Sequence, residues 1–215
     1  MMEKPKVIFL DAVGTLFGVQ PSVGDIYARL ARDYGVDLSP SVINQAFYKS
    51  FKMADPLAFP GASWREIKRR EYEWWRAIVA QTFQMAEGLE RFSDFSTFFA
   101  ELYAHFASGE PWVVYDDVPR SLQRWQDMEI ELGVISNFDS RLHNVLQELK
   151  LGDFFQSVTI SSEVGAAKPE ATIFQKALEK HECDPAAAWH VGDSWSEDIE
   201  GAKAVGMRAV RIQRD

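Results

Sequence analysis

Lys6-Val7-Ile8-Phe9-Leu10-Asp11-Ala12-Val13-Gly14-Thr15-Leu16 decides how the rest of the chain is read. Its first half is a short unbroken apolar run, the pattern of a strand buried on both faces. Its second half opens with a carboxylate and runs on through a Gly and a Thr. In open α/β folds the carboxyl ends of the strands line the ligand crevice, and an aspartate there is placed to act as a nucleophile. Two residues on, Val13 has no proton to give and no lone pair to take one.

Outward from this stretch, the chain alternates strand and helix at its two ends and reads as helix in its middle. Apolar spacing predicts helices over 21–34, from Ser39-Pro40 to Met53, and over 93–106. Ser63-Trp64-Arg65-Glu66 matches a capping box, and the helix it opens extends to Met85. Beyond Pro111 the pattern changes. Helices are expected over 119–128, from Asp139 or Ser140 to Leu149, over 169–181, and from Ser196 or Glu197 to Val205. Strands are expected over 130–135, 157–161, 189–191 and 208–212. Alternation without hairpin signals implies a parallel sheet covered by helices on both faces. The reading is an α/β core, residues 1–16 and 115–215, with a helical insertion over 17–114 crossing near 17–22 and 109–117. Two short crossings predict an insertion that hinges over the crevice.

The 215 residues are 47% apolar and carry a formal net charge of −9. An acidic surface repels nucleic acid and anionic membranes, so neither is expected as a partner. The single Cys183 excludes an internal disulfide or a cysteine-based zinc site, and fits a free thiol in a reducing cytosol. The four histidines show no metal spacing. No apolar run approaches a membrane span, and Met1–Lys6 is too short and polar for a signal peptide.

Four positions share one address, the end of a strand or the loop after it: Asp11, Ser136, Lys168 and Asp193, with Asp198 in the first turn of the following helix. Together they suit phosphoryl transfer on a small phosphorylated molecule. Asp11 is the candidate nucleophile. Asp11, Asp193 and the Val13 carbonyl suit Mg²⁺, a hard ion that prefers oxygen. The Ser136 hydroxyl, the Lys168 ammonium and the backbone N–H groups after Asp11 are candidates to hold the phosphoryl oxygens. Taken singly, each has a plainer reading: Asp11 as a turn cap, Ser136-Asn137 as a turn and N-cap, Lys168 as a solvated lysine, Asp198 as a complement to a helix dipole.

In order, Asp11-Ala-Val-Gly-Thr15-Leu, Ser136-Asn137, Lys168-Pro169 and Gly192-Asp193-Ser-Trp-Ser-Glu-Asp198 resemble the four motifs of the haloacid dehalogenase (HAD) superfamily. Ala-Lys-Pro-Glu-Ala-Thr-Ile-Phe at 167–174 and Gly201-Ala202 fit as well. The resemblance covers the whole chain, and the insertion is similar to that superfamily's C1-type cap. Asp-Ala-Val-Gly-Thr-Leu-Phe, Gln-Thr-Phe at 81–83 and Ile-Ser-Asn-Phe-Asp at 135–139 resemble the branch typified by haloacid dehalogenase-like hydrolase domain-containing protein 3. The resemblance implies a Rossmann-like three-layer core with its parallel sheet ordered 5-4-1-2-3, an aspartyl-enzyme intermediate and Mg²⁺ dependence. It implies catalytic roles for Asp11, Thr15, Ser136 and Lys168, substrate contacts for Ser136, Asn137 and Lys168, a metal held by Asp11, Val13 and Asp193, and a supporting role for Asp198.

The superfamily's phosphatases carry Asp-x-Asp-x-Thr, and the second Asp protonates the leaving group and then activates water. Here that residue is Val13, so a slow phosphatase is expected, best on leaving groups that need no proton, such as acyl or aryl phosphates. Asp139, His143 and Glu163 are the substitutes the sequence offers for the missing acid. A phosphate-binding or regulatory protein on the same scaffold is the alternative from another class. A dehalogenase is disfavoured: Gly192-Asp193 stands where that branch has Ser-Ser-Asn, and no arginine occurs over 37–51. The cap's aromatic residues, among them Phe47, Phe51, Trp74, Trp75 and Trp112, are expected mostly in its core, with a minority left to line a pocket. The choice between monomer and dimer stays open.

Overall fold

A computed structural model of the protein describes residues 4–214; the reading of Met1–Lys6 as free of a signal peptide falls in part outside them. The core strands are β1 (Val7–Leu10), β4 (Glu131–Ser136), β5 (Ser157–Ile160), β6 (Ala188–Gly192) and β7 (Arg208–Arg211), with β2 (Phe17–Val19) and β3 (Trp112–Val114) outside the core. The five core strands form one sheet in the order β5-β4-β1-β6-β7, all parallel. Numbered as core strands one to five, this is the expected 5-4-1-2-3 order read from its other edge.

Period-two alternation along β1 builds both faces. Ile8 and Leu10 pack with Leu132 and Val134 against Val118 and Leu122 of α5 (Val118–Asp127) and Leu142 and Val145 of α6 (Leu142–Glu148). Val7 and Phe9 point the other way, onto Ile173, Phe174 and Ala177 of α8 (Ala171–Lys180) and Ala202 of α9 (Gly201–Ala204). β1 is covered on both sides, which is why its sequence is uniformly apolar.

The insertion has its own core. α1 (Val23–Arg32), α2 (Pro40–Met53), α3 (Trp64–Met85) and α4 (Phe95–His105) enclose Ile26, Tyr27, Ile43, Val79, Phe83 and Phe98. The Ser63/Glu66 capping box is formed, and α3 runs to Met85 as its sequence predicts.

Three local expectations differ. The crossings, where no strand is expected, are paired: β2 and β3 run antiparallel, Phe17 opposite Val114 and Val19 opposite Trp112, so both chain passages form one ribbon. α6 starts at Leu142 rather than at Asp139 or Ser140, because Asp139 turns its carboxylate onto Arg141, accepting from its backbone N at 3.0 Å and its Nε at 2.8 Å. The last helix begins as a wide π-type turn, Trp195–Glu200, before tightening into α9. α7 (Ser161–Val164) adds one short turn after β5. No helix among the described residues is long and apolar enough to cross a membrane.

Candidate active site

Asp11 leaves the end of β1, and its backbone N–H donates to the Val191 carbonyl of β6 at 2.9 Å, so the two neighbouring strands end together. Asp193 follows directly on β6. Gly14 permits the close approach. It has φ +90°, and a Cβ there would lie 2.8 Å from an Asp193 carboxylate oxygen. Ser136 ends β4 on the other side of β1.

Lys168 joins these elements. Its Nζ, nearly inaccessible, donates to Asp11 Oδ1 at 2.7 Å and to Asp198 Oδ1 at 2.6 Å. Asn137 holds the lysine's backbone from both ends of one amide: Oδ1 accepts from Lys168 N at 2.7 Å, and Nδ2 donates to Lys168 O at 3.0 Å. The same Nδ2 reaches Glu197 Oε2 at 3.2 Å. Asp198 also accepts from His190 Nε2 at 2.9 Å and from Ser194 N at 3.0 Å, so both its oxygens are engaged.

The electrostatics follow from one buried ammonium facing several carboxylates. Burial raises the Asp11 carboxyl; Lys168 opposes that rise, and the charges on Asp198 and Asp193 add to it. Burial also raises Asp193, again with Asp198 contributing. Burial works against the charged form of Asp198 too, but its bonds from His190 and Lys168 outweigh burial and hold it low. Lys168 keeps its proton because Asp11 and Asp198 overcome its desolvation.

A divalent cation fits this imbalance. Carboxylate oxygens of Asp11, Asp193 and Asp198 lie within 4.8 Å of one another. With Asp198 committed to Lys168, His190 and Ser194, the side chains left for a metal are Asp11 and Asp193. An all-oxygen donor set of this kind suits a hard ion.

Above the carboxylates lies a cavity of about 750 Å³, reaching from Asp11, Val13, Ser136, Asn137, Lys168 and Asp193 up to aromatic side chains of the cap. Not every sequence-predicted residue lines it. Thr15 is buried, its hydroxyl has no protein partner, and it borders a separate small cleft with Leu16 and Leu122. The N–H groups of Gly14 and Thr15 are spent inside the turn, on the Phe17 and Ala12 carbonyls, and are not free to bind an anion. None of the three substitutes for the missing acid lines the cavity. Asp139 is fully buried and paired with Arg141 at 2.7 Å, and it accepts from Trp75 Nε1 at 2.6 Å. His143 and Glu163 pair with each other at 3.0 Å, both partly exposed.

Two side chains that sequence reasoning missed belong to the site. Glu197 lines the cavity, its carboxyl raised by burial. Its only sequence signal is its place inside the Asp193–Asp198 segment. His190 lies inside a strand that reads as plain core, and nothing in its neighbours marks it.

The sequence matches the haloacid dehalogenase-like hydrolase family over residues 5–206. Haloacid dehalogenase-like hydrolase domain-containing protein 3 of Homo sapiens is 34% identical over 209 residues, 96% of this chain and 81% of that protein. The Bos taurus protein of the same name is 32% identical over 207 residues, 96% of this chain and 81% of that protein. A crystal structure of a HAD phosphatase from Thermococcus onnurineus is 27% identical with a TM-score of 0.64, covering 98% of this chain and 87% of that one. A dehalogenase crystal structure has a TM-score of 0.72 at 18% identity, covering 100% of this chain and 88% of that one, a likeness of fold alone. This chain belongs to the haloacid dehalogenase-like hydrolase family.

Proposed function

We propose that the protein is a slow Mg²⁺-dependent phosphatase acting through an aspartyl-phosphate on Asp11. The observation that carries this reading is the Lys168 ammonium held between Asp11 and Asp198, beside Asp193, at the floor of the cavity. A binding site for phosphate alone has no need of a carboxylate facing the anion. A nucleophile does. Asp11, Asp193 and the Val13 carbonyl would hold the metal. Bound Mg²⁺ offsets the repulsion between the Asp11 carboxylate and the phosphoryl oxygens. Lys168 and Ser136 neutralise and orient those oxygens, and Asn137 fixes the backbone from which Lys168 projects. Asp198 keeps Lys168 charged and aimed. Thr15 acts through the turn that carries Asp11. The substrate is a small phosphorylated molecule, and the setting is the reducing cytosol, where the free Cys183 is stable.

Val13 favours the second reading, a phosphate-binding or regulatory protein without useful turnover. Acetyl phosphate separates the two, because its leaving group needs no proton. Mg²⁺-dependent release of phosphate, lost on chelation and in Asp11→Asn, is the expected result, with an acid-stable phosphoenzyme trapped during turnover. Binding without release and without label establishes the regulatory reading instead.

A further inference from the structure

The cavity is much larger than a phosphoryl group. At about 750 Å³ it is on the scale that encloses a whole organic ligand. Its upper wall is aromatic. Phe51 stacks between Phe47 and Trp75, at ring separations of 5.7 and 5.9 Å, and Trp74 meets Trp75 edge-on at 4.9 Å. Phe47 is buried in the cap core, but packing has not consumed the rings beside it: Phe51 is 43% exposed and Tyr48 60%. A soluble domain rarely leaves so many rings open without a use for them.

Charge on that wall is balanced, with Lys52 and Asp55 lining it as one charge of each sign. The Arg141 guanidinium borders the cavity but is committed, paired with Asp139 and lying 3.8 Å from the Tyr103 ring centroid. The indole N–H groups of Trp74 and Trp75 are also taken, by the Asp55 carbonyl and the Asp139 carboxylate. Trp112 Nε1 is the one buried side-chain donor without a protein partner among the described residues that line the cavity. The wall therefore offers flat apolar contact and, with Lys52 set against Asp55, no net charge to draw a second anionic group.

Val13 adds an independent constraint at the floor, where the departing oxygen would sit against a methyl group rather than an acid. We propose that the cavity takes phosphate monoesters of neutral aromatic alcohols, with the aryl group seated among Phe47, Phe51, Trp74 and Trp75 and the phosphoryl group on Asp11. This rests on the phosphatase reading and narrows its substrate class. The chemistry closes without an acid. An Asp11 oxygen forms a bond to phosphorus while the P–O(aryl) bond breaks, and its electron pair leaves as aryloxide, which takes a proton from water. A second water then displaces phosphate from Asp11. The balance is aryl phosphate plus water giving phenol plus inorganic phosphate. A phenol ionises near about 10, as tyrosine does, against about 15.7 for water itself, so an aryloxide can depart unprotonated where an alkoxide cannot.

The test sets the two constraints against each other. Acetyl phosphate has the better leaving group and 2-naphthyl phosphate the better fit, while glycerol 2-phosphate has neither. With Mg²⁺ and the full chain, kcat/KM for 2-naphthyl phosphate should exceed that for acetyl phosphate by 10-fold or more, and that for glycerol 2-phosphate by 100-fold or more. Phe51→Ser and Tyr48→Ser, both at exposed positions, should lower the naphthyl-to-acetyl ratio of kcat/KM at least 10-fold through KM, with circular dichroism confirming the fold. A carboxylate on the aryl ring should reduce kcat/KM. If acetyl phosphate matches or beats 2-naphthyl phosphate, and both need Asp11, the aromatic seat is wrong and the phosphatase reading stands. If neither is hydrolysed and Asp11 takes no label, both fall.

Discussion

One side chain, Val13, would set the proposed chemistry apart, since it has no group able to move a proton. It is 36% exposed and borders the cavity above Asp11. With no base beside it, water should attack an aspartyl-phosphate slowly, and the phosphoenzyme should accumulate. Val13→Asp supplies the missing group. It should speed decay of the phosphoenzyme in single turnover and raise alkyl phosphate hydrolysis by on the order of 10-fold or more, inside the range of general acid–base catalysis. Flat kinetics in that variant would mean that another group already moves the proton. His190 carries a separate signature. Burial holds its pKa below the ordinary value of about 6.5. Its Nε2 donates to Asp198 while its buried Nδ1 has no partner. Below that value the unfolded chain binds a proton that the folded protein refuses, so stability falls as pH drops and the effect vanishes above it. Between pH 7.5 and 5.5 the protein should lose about 1 kcal/mol more than His190→Gln, measured by urea unfolding at both pH values. That Asp11, Val13, Ser136, Lys168 and Asp193 come together on one cavity was legible in the sequence, because each lies at a strand's carboxyl end or in the connection after it. Glu197, His190 and the Asn137 clamp were not. Their roles are defined by what lies opposite, and a one-dimensional pattern does not record that.

Among the elements, legibility tracked length. α3 was readable at both ends, since 22 residues hold a capping box and several turns of pattern. The ribbon of β2 and β3 was not, because three residues per strand hold too little alternation to stand out. The π-type turn at Trp195–Glu200 was read as ordinary helix, since its spacing is set by Asp198 reaching back to the Ser194 N–H rather than by an apolar stripe. Close packing gives a sharper test. Gly24 of α1 lies against α2, where a Cβ would come within 2.1 Å of the Pro40 carbonyl and 2.7 Å of Asn44 Cβ. Both contacts belong to α2, so the helices must separate to admit a methyl group. Gly24→Ala should cost about 1–3 kcal/mol despite its better helix propensity. A variant as stable as the parent in urea would show that α1 and α2 are free to slide.

For the molecule as a whole, the question is how firmly the cap sits. Glu71 of α3 is fully buried, and its carboxylate accepts from Ser140 N, Ser140 Oγ and Ser162 Oγ at 2.9, 2.6 and 2.6 Å, all from the core. Trp75 bonds to Asp139 beside it, and Arg141 donates to the Tyr103 carbonyl of the cap at 3.0 Å. Glu71→Ala would leave buried donors without acceptors, each costing about 1–3 kcal/mol. Amide exchange should then rise selectively in 64–85 and 138–144, the two sides of the latch, while β1 and β6 stay protected. Uniform exchange across cap and core would show that this carboxylate does not govern opening. The metal should tie the same regions to the crevice: Mg²⁺ should raise the melting temperature of the protein and do so far less in Asp193→Asn, as read by thermal scans with and without chelator. The ribbon has a consequence of a different kind. Its two strands lie side by side, and Gln20 N meets the Pro111 carbonyl at 3.0 Å, so the insertion leaves and re-enters the core at almost one point. A different insertion grafted through that one two-stranded junction would leave Asp11 and Asp193 on the ends of β1 and β6, provided that it met the core donors Glu71 now satisfies. On the proposed reading, the chemistry and the choice of substrate would sit on separate parts of one chain, and a lineage or an engineer could rewrite the second while leaving the first in place.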